Sequence, residues 1–141
     1  MAITIDRRYR SDLHPFHAVL LAGAVPLFLG AMLSDIAYAR SYQIQWTNFA
    51  SWLLAGALVV AAGALLWALV DLSRGRRDGL WLAYVLVLAV TWLLGFVDAL
   101  VHARDAWATM PTGLVLSVVV AVLACVATWL GFAGGRAGGA P

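Results

Sequence analysis

An aspartate and a histidine stand four residues apart near the end of a long apolar segment. At this spacing Asp98 and His102 fall on one face of a helix, and Asp35 stands near the end of another apolar segment. Carboxyl and imidazole groups can bind a ligand, exchange a proton or hold a metal ion. These three side chains are therefore the first candidates for a cofactor-binding site.

A second set of polar side chains lies towards the opposite ends of the helices. His14 and His17 stand three residues apart where the first apolar segment begins, and Asp71 ends the second segment. Two histidines and one carboxylate can hold a divalent metal, so this set predicts a metal site. The alternative is that both histidines are amphipathic residues at the membrane boundary.

Composition indicates the class of protein that must position these residues. Hydrophobic residues make up 64% of the chain and charged residues only 11%, which is far outside the range of soluble domains. The sequence therefore predicts an integral membrane protein, with the lipid bilayer as its first partner. The formal net charge of +2 comes from arginines that flank the apolar segments, so nucleic acid is not an expected partner.

Four apolar segments each have the roughly 20 residues that a bilayer requires. The predicted spans are 16–38, 47–70, 79–101 and 112–132. They define a transmembrane domain over 13–133, preceded by a cytoplasmic arm (1–12) and followed by a flexible cytoplasmic tail (134–141). The predicted fold class is an all-α integral membrane protein, a four-transmembrane-helix bundle with up-down-up-down topology.

Arginine placement predicts the orientation of this bundle. Most arginines lie in the N-terminal arm, in the link between the second and third spans, and in the tail: Arg7, Arg8, Arg10, Arg74, Arg76, Arg77 and Arg136. The other two links hold only Arg40 and Arg104. Because basic loops stay on the cytoplasmic side, both termini are predicted to be cytoplasmic, in the inner membrane of a bacterium.

Depth in the membrane brings the first set of candidates together. Asp35 and Asp98 each lie nearly 20 residues beyond the inner end of their helix, roughly 27–30 Å along it. Both should then lie near the periplasmic edge of the hydrocarbon, with His102 one turn further out. Acids at this depth face the bundle interior or a wet cavity. The alternative is that each acid pairs separately with Arg40, Arg104 or helix-end groups.

The two halves of the chain resemble each other. The segment from Asp35 to Arg40 leaves the first span much as the segment from Asp98 to Arg104 leaves the third, and an Ala/Val/Leu-rich helix follows each. This similarity suggests two repeated helical hairpins related by a pseudo-twofold axis along the membrane normal. The central thirds of the helices offer few polar groups besides Thr91 and Ser117, which disfavours an ion path.

The entry to the first helix resembles a known family. His14-Pro15-x-His17, the mid-helix Pro26, Asp35 and the four-span layout are similar to the bacterial membrane family called domain of unknown function 2231 (DUF2231). Family members often have a second proline after the second histidine, where this chain has Ala18. Some relatives are joined to quinoprotein-type dehydrogenase or cytochrome-like domains, so the resemblance implies membrane electron transfer or anchoring of a redox partner.

Two functions from different classes follow from these features. The first is a non-enzymatic membrane subunit or anchor, next to a redox complex or in a homo-oligomer, with a polar Asp/His cluster near the periplasmic face. The second is a membrane redox protein that binds haem, a quinone or a divalent metal at Asp35, Asp98 and His102. A haem held by two histidines is disfavoured, because His14 and His17 lie a membrane thickness from His102. The sequence has no phosphate-binding loop and no nucleophile set of a soluble enzyme.

Overall fold

The computed structural model describes residues 13–137, which form five helices joined by short links. The helices are α1 (Pro15–Ser41), α2 (Ile44–Ser73), α3 (Gly79–His102), α4 (Ala106–Thr109) and α5 (Thr112–Ala137). Four of them, α1, α2, α3 and α5, are long and apolar enough to cross a membrane, and each contains one of the predicted spans. No strand occurs among the described residues. The predicted fold class is confirmed.

Local signals fix where α1 and α3 begin. Pro15 occupies the first turn of α1, and the side chain of His14 accepts a hydrogen bond from the Phe16 N–H at 3.2 Å. The side chain of Asp78 accepts one from the Trp81 N–H at 2.9 Å at the start of α3. These bonds satisfy N–H groups that have no partner inside the first turn of a helix. The two caps therefore mark the starts of α1 and α3.

The buried positions of the long helices repeat at alternating intervals of three and four residues, the heptad spacing of packed helices. In α2 they are Thr47, Ala50, Leu54, Ala57, Ala61, Ala64 and Ala68. In α5 they include Gly113, Ser117, Val120, Ala124, Ala127, Gly131 and Gly134. Most of these residues are small, and small residues let membrane helices approach closely. The inner faces of α2 and α5 are therefore narrow, and larger side chains of α1 and α3 pack against them.

Helices α1 and α3 lie on one diagonal of the bundle. Each packs against both α2 and α5, which form the other diagonal. Two hairpins related by a pseudo-twofold axis would give this arrangement, although the repeat itself stays a prediction. The inward-facing positions of α1, α3 and α5 carry the polar side chains of the candidate functional site. These side chains therefore lie near the bundle axis.

Side chains of α1 and α3 meet across the bundle axis at two levels. Asp35 bonds to His102 and His17 bonds to Tyr84, and in each pair the partners are 67 residues apart in sequence. Asp35 follows His17 by 18 residues, which is roughly 27 Å along α1. The two polar levels therefore lie near opposite ends of the bundle, and we call them the Asp35 end and the His17 end.

Candidate functional site

Four polar side chains meet at the Asp35 end, and we call them the acid–histidine cluster. Asp35 comes from α1, Asp98 and His102 from α3, and Ser117 from α5. Both aspartates are 0% exposed, and the side chain of His102 is 1% exposed. Polar groups buried this deeply need hydrogen-bond partners, and the members of the cluster supply most of them to one another.

The His102 imidazole lies between the two carboxyl groups. Its Nδ1 is 3.0 Å from the backbone carbonyl oxygen of Asp98, and its Nε2 is 2.8 Å from Asp35 Oδ1. Because a carbonyl oxygen only accepts, Nδ1 must carry a proton and donate it. A proton also lies between Nε2 and Asp35 Oδ1, because the lone pairs of these two atoms would repel each other at this distance. That proton belongs either to the imidazolium or to the carboxylic acid of Asp35.

The Ser117 hydroxyl joins α5 to both carboxyl groups. Its Oγ is 2.9 Å from the carbonyl oxygen of Gly113 and 3.2 Å from Asp98 Oδ2, and it also bonds to Asp35 Oδ2. Asp98 Oδ1 lies 3.2 Å from His102 Nδ1 but accepts no hydrogen bond, because the Nδ1 proton points to the backbone carbonyl. The cluster thus ties three helices together and leaves one buried carboxyl oxygen without a hydrogen bond.

Close packing of α5 brings Ser117 into the cluster. Gly113 lies one turn before Ser117, and a Cβ atom at Gly113 would lie 3.0 Å from His102 Cε1 and 2.7 Å from the γ-methyl of Thr109. Any residue larger than glycine at this position would therefore require Thr109 and the His102 imidazole to move. A small residue at this heptad position is therefore part of what sets the distance between α5 and α3.

The structure brings Asp35, Asp98 and His102 together, as the depth argument predicted. The oxygens of Asp35 contact His102 and Ser117, so separate pairing with Arg40 or Arg104 is the wrong interpretation for this carboxyl group. Sequence reasoning missed Ser117, which it counted as a mid-membrane residue. Ser117 follows the start of α5 by only five residues. Its place in the heptad face of α5 is the signal that could have found it.

A groove of about 640 Å³ opens beside the cluster. The start of α2, the end of α3 and the link to α4 form its walls. Polar side chains on these walls belong to Gln45, Thr47, Asn48, Ser51, Arg104 and Asp105. Among the members of the cluster, His102 lines the groove. Its imidazole therefore lies between the groove and the buried carboxyl groups.

The three residues of the predicted metal site at the His17 end each have different surroundings. His17 Nε2 is 2.7 Å from Tyr84 Oη, His14 stacks on Trp67 with ring centroids 4.8 Å apart, and Asp71 is partly exposed. Between residues 13 and 137 no three His, Cys, Asp or Glu side chains are grouped so that they could hold a metal ion. His17 faces Tyr84 and His14 caps α1, and metal binding by His14, His17 and Asp71 stays a prediction.

The acid–histidine cluster is likewise not arranged as a set of metal ligands in the described chain. Both imidazole nitrogens already face protein oxygens, so neither directs a free lone pair at an ion or at haem iron. A metal or haem at His102 would have to displace Asp35 or the Asp98 carbonyl from the ring. Cofactor binding by Asp35, Asp98 and His102 stays a prediction.

Fold and site together define a class: a four-helix integral membrane protein with a buried acid–histidine cluster near one end. The chain belongs to the family described as "Predicted membrane protein (DUF2231)", whose model matches residues 13–134. The resemblance seen at His14, Pro26 and Asp35 is confirmed by this match. No curated protein and no solved structure matches the chain.

Proposed function

We propose that this protein is a non-enzymatic membrane subunit or anchor of a larger assembly. One observation carries the proposal: the cluster's polar groups are bonded to other helices of the same bundle. Asp35 bonds to α3 and α5, and the His102 imidazole contacts Asp35 and Asp98. A network of this kind, in surroundings of low dielectric, holds helices in a unique arrangement.

The rest of the bundle supports the same proposal. The inner face of α2 consists mostly of small side chains, and large apolar side chains such as Trp52, Val59 and Leu66 are exposed on the outside of the bundle, as contact with lipid requires. Within residues 13–137 the links between long helices are short, so this part of the chain has no soluble domain of its own. The resemblance adds a redox complex as the class of partner, and a second copy of the chain is the alternative.

Arginine placement supplies the orientation that goes with this proposal. In the inner membrane of a bacterium the basic α2–α3 link and both termini would face the cytoplasm. The Asp35 end would then face the periplasm. A partner that contacts the cluster side would be periplasmic, whereas a partner held by the basic link would be cytoplasmic.

A second candidate function is a membrane redox protein that binds haem, a quinone or a divalent metal at the cluster. The position of His102 on the groove wall favours this candidate, because a ligand in the groove could hydrogen-bond to the imidazole. Of the three cofactors, a quinone agrees best with the geometry. Its carbonyl oxygens need a hydrogen-bond donor, whereas a metal or haem iron needs a free nitrogen lone pair.

Spectroscopy of the purified protein separates the two candidates. We expect a visible absorption spectrum without a Soret band, and a preparation that contains no stoichiometric metal and no co-extracted quinone. In mild detergent the particle should be larger than one chain. Asp98→Ala and His102→Ala provide the comparison, with Asp71→Ala as the matched control. A Soret band, a metal or a quinone that is stoichiometric in the wild type and lost only in the first two variants would reject the subunit proposal.

A further inference from the structure

We propose that the acid–histidine cluster is a proton-binding site that exchanges with the aqueous phase at the Asp35 end through the groove beside His102. The ligand is a proton alone, so no electron moves and no covalent bond other than O–H or N–H changes. This inference does not rest on the subunit role. It concerns protons held by the chain itself, whatever the bundle is attached to.

The contacts of Ser117 favour a carboxylic acid in the cluster. Its hydroxyl has one proton, but Oγ lies within hydrogen-bond distance of the Gly113 carbonyl and of one oxygen from each aspartate. If both carboxyl groups were ionised, at least one carboxylate oxygen would face the lone pairs of Oγ. A proton on Asp35 or Asp98 relieves the conflict between the carboxyl groups, because the acid donates to Oγ and the hydroxyl donates to the other carboxylate.

The charge of the cluster leads to the same conclusion. Two carboxylates and one imidazolium carry a net charge of −1, and an unbalanced charge is costly in a buried site. The groups that α5 and α2 present to the cluster are uncharged. They are the Ser117 hydroxyl and the Gly113 carbonyl on α5, and Thr47 of α2 on the groove wall. The charged groups nearby on the groove wall, Arg104 and Asp105, are exposed and opposite in sign. One added proton makes the buried cluster neutral.

The groove gives this proton a route to water. His102 lines the groove, yet its side chain is only 1% exposed, so the ring separates the polar groove from the carboxyl groups. Rotation of the imidazole about its side-chain bonds would point a ring nitrogen first into the groove and then back at Asp35. The ring could carry a proton between the two. Asp98 Oδ1, which accepts no hydrogen bond, lies 3.2 Å from Nδ1 and can take the proton on that side.

Infrared spectroscopy of the detergent-solubilised protein tests the carboxylic acid directly. The C=O absorption of a protonated carboxyl group is separate from that of a carboxylate. We expect the folded wild type to show this band at neutral pH, and we expect it to be lost in Asp98→Asn or in Asp35→Asn. Asp98→Glu should keep a shifted band, and Asp71→Asn, at the other end of the bundle, should leave the band unchanged.

Two results would overturn the proton site. One is a wild type that is helical by circular dichroism but has no carboxylic-acid band at neutral pH. The other is a band that persists in both Asn variants. The first result needs only the wild type, and the second is read from Asn variants that are helical by circular dichroism. Asp98→Glu, which retains every carboxyl group of the cluster, separates loss of the acid from loss of the fold.

Filling the groove tests the route. After transfer into D2O, the carboxyl band of the wild type should shift as the proton is replaced by deuterium. Asn48→Trp places a large side chain on the groove wall and should slow that shift severalfold, whereas Val59→Trp on the exposed surface of α2 should not. An exchange rate that is the same in Asn48→Trp and in the wild type would show that the proton does not pass through the groove. The infrared results are read from carboxyl bands and the subunit proposal is tested by cofactor bands in the visible spectrum, so the two proposals fail separately.

Discussion

Asp35 connects three helices through its two carboxyl oxygens. One of its oxygens bonds to His102 in α3 and the other to Ser117 in α5, while its own backbone belongs to α1. A buried carboxyl group is tolerated here only because both oxygens have partners. The cost of changing a single atom should therefore be large at this position and small at an exposed aspartate.

The substitution Asp35→Asn should lower the free energy of unfolding by about 3–5 kcal/mol, the range for breaking a buried polar pair by removing one partner. The reason is that an amide has neither the negative charge nor the acidic proton of the carboxyl group, so the contact with His102 Nε2 is no longer charge-assisted. Thermal unfolding in detergent, followed by circular dichroism, measures the effect. Asp71→Asn is the control and should stay within about 0.5 kcal/mol of the wild type. Equal stability of the two variants would contradict the pairing.

The pair at the His17 end makes a second residue-scale prediction. Tyr84→Phe removes the hydroxyl that lies 2.7 Å from His17 Nε2 and leaves a buried ring nitrogen without a partner. We expect a loss of about 1–3 kcal/mol, the cost of an unsatisfied buried polar group. Tyr42→Phe is the matched control because Tyr42 is 64% exposed. A loss of the same size in both variants would show that the His17 contact does not stabilise the fold.

Among the elements, α2 is the helix with the most uniform inner face. Ala50, Ala57, Ala61, Ala64 and Ala68 are all 0% exposed, and each contributes only a methyl group to its layer. Large side chains from α1 and α3, among them Phe28 and Leu88, fill the space that these alanines leave. The separation of the helices, and with it the geometry of the cluster, depends on this pairing of small with large residues.

Enlarging one layer of α2 should therefore destabilise the bundle. Ala61→Leu adds three carbon atoms to a closed interior and should cost about 1–3 kcal/mol, the usual range for overpacking. Val59→Leu, at a position that is 74% exposed on the same helix, should change the stability little. The unfolding midpoint of each purified variant in one detergent gives the comparison. A destabilised Val59→Leu with an unchanged Ala61→Leu would mean that the two faces of α2 are assigned the wrong way round.

At the scale of the whole molecule, the two ends of the bundle differ in charge and in the groups that they present. The arginine count predicts that the Asp35 end does, and the proposed proton site would then exchange with the periplasm. The groove belongs to this end of the bundle, and the basic link between α2 and α3 belongs to the other.

Cysteine labelling in intact cells tests this orientation. The background is Cys125→Ser, since Cys125 is exposed. A membrane-impermeant thiol reagent should label Asn48→Cys in intact cells, whereas it should label Ser73→Cys only after the cells are permeabilised. The opposite pattern would invert the topology and would make the proton site cytoplasmic, without changing its contacts.

The sequence by itself determined the class of the protein and the number of its helices that are long and apolar enough to cross a membrane. A bilayer requires about 20 apolar residues per span, and this requirement acts on each segment separately. Helix periodicity likewise placed Asp98 and His102 on one face, and equal depth associated them with Asp35. Each of these inferences needs only local spacing along one helix.

Tertiary structure decided what the spacing left open. Whether Ser117 joins the carboxyl groups depends on how far α5 lies from α3, and Gly113 and its neighbours set that distance only once the helices pack. At the other end, His17 turned towards Tyr84 rather than towards His14 and Asp71, because the two helices that carry the pair lie across the bundle axis from each other. Partners 67 residues apart in sequence are chosen by the packing of whole helices, and no local pattern contains that information.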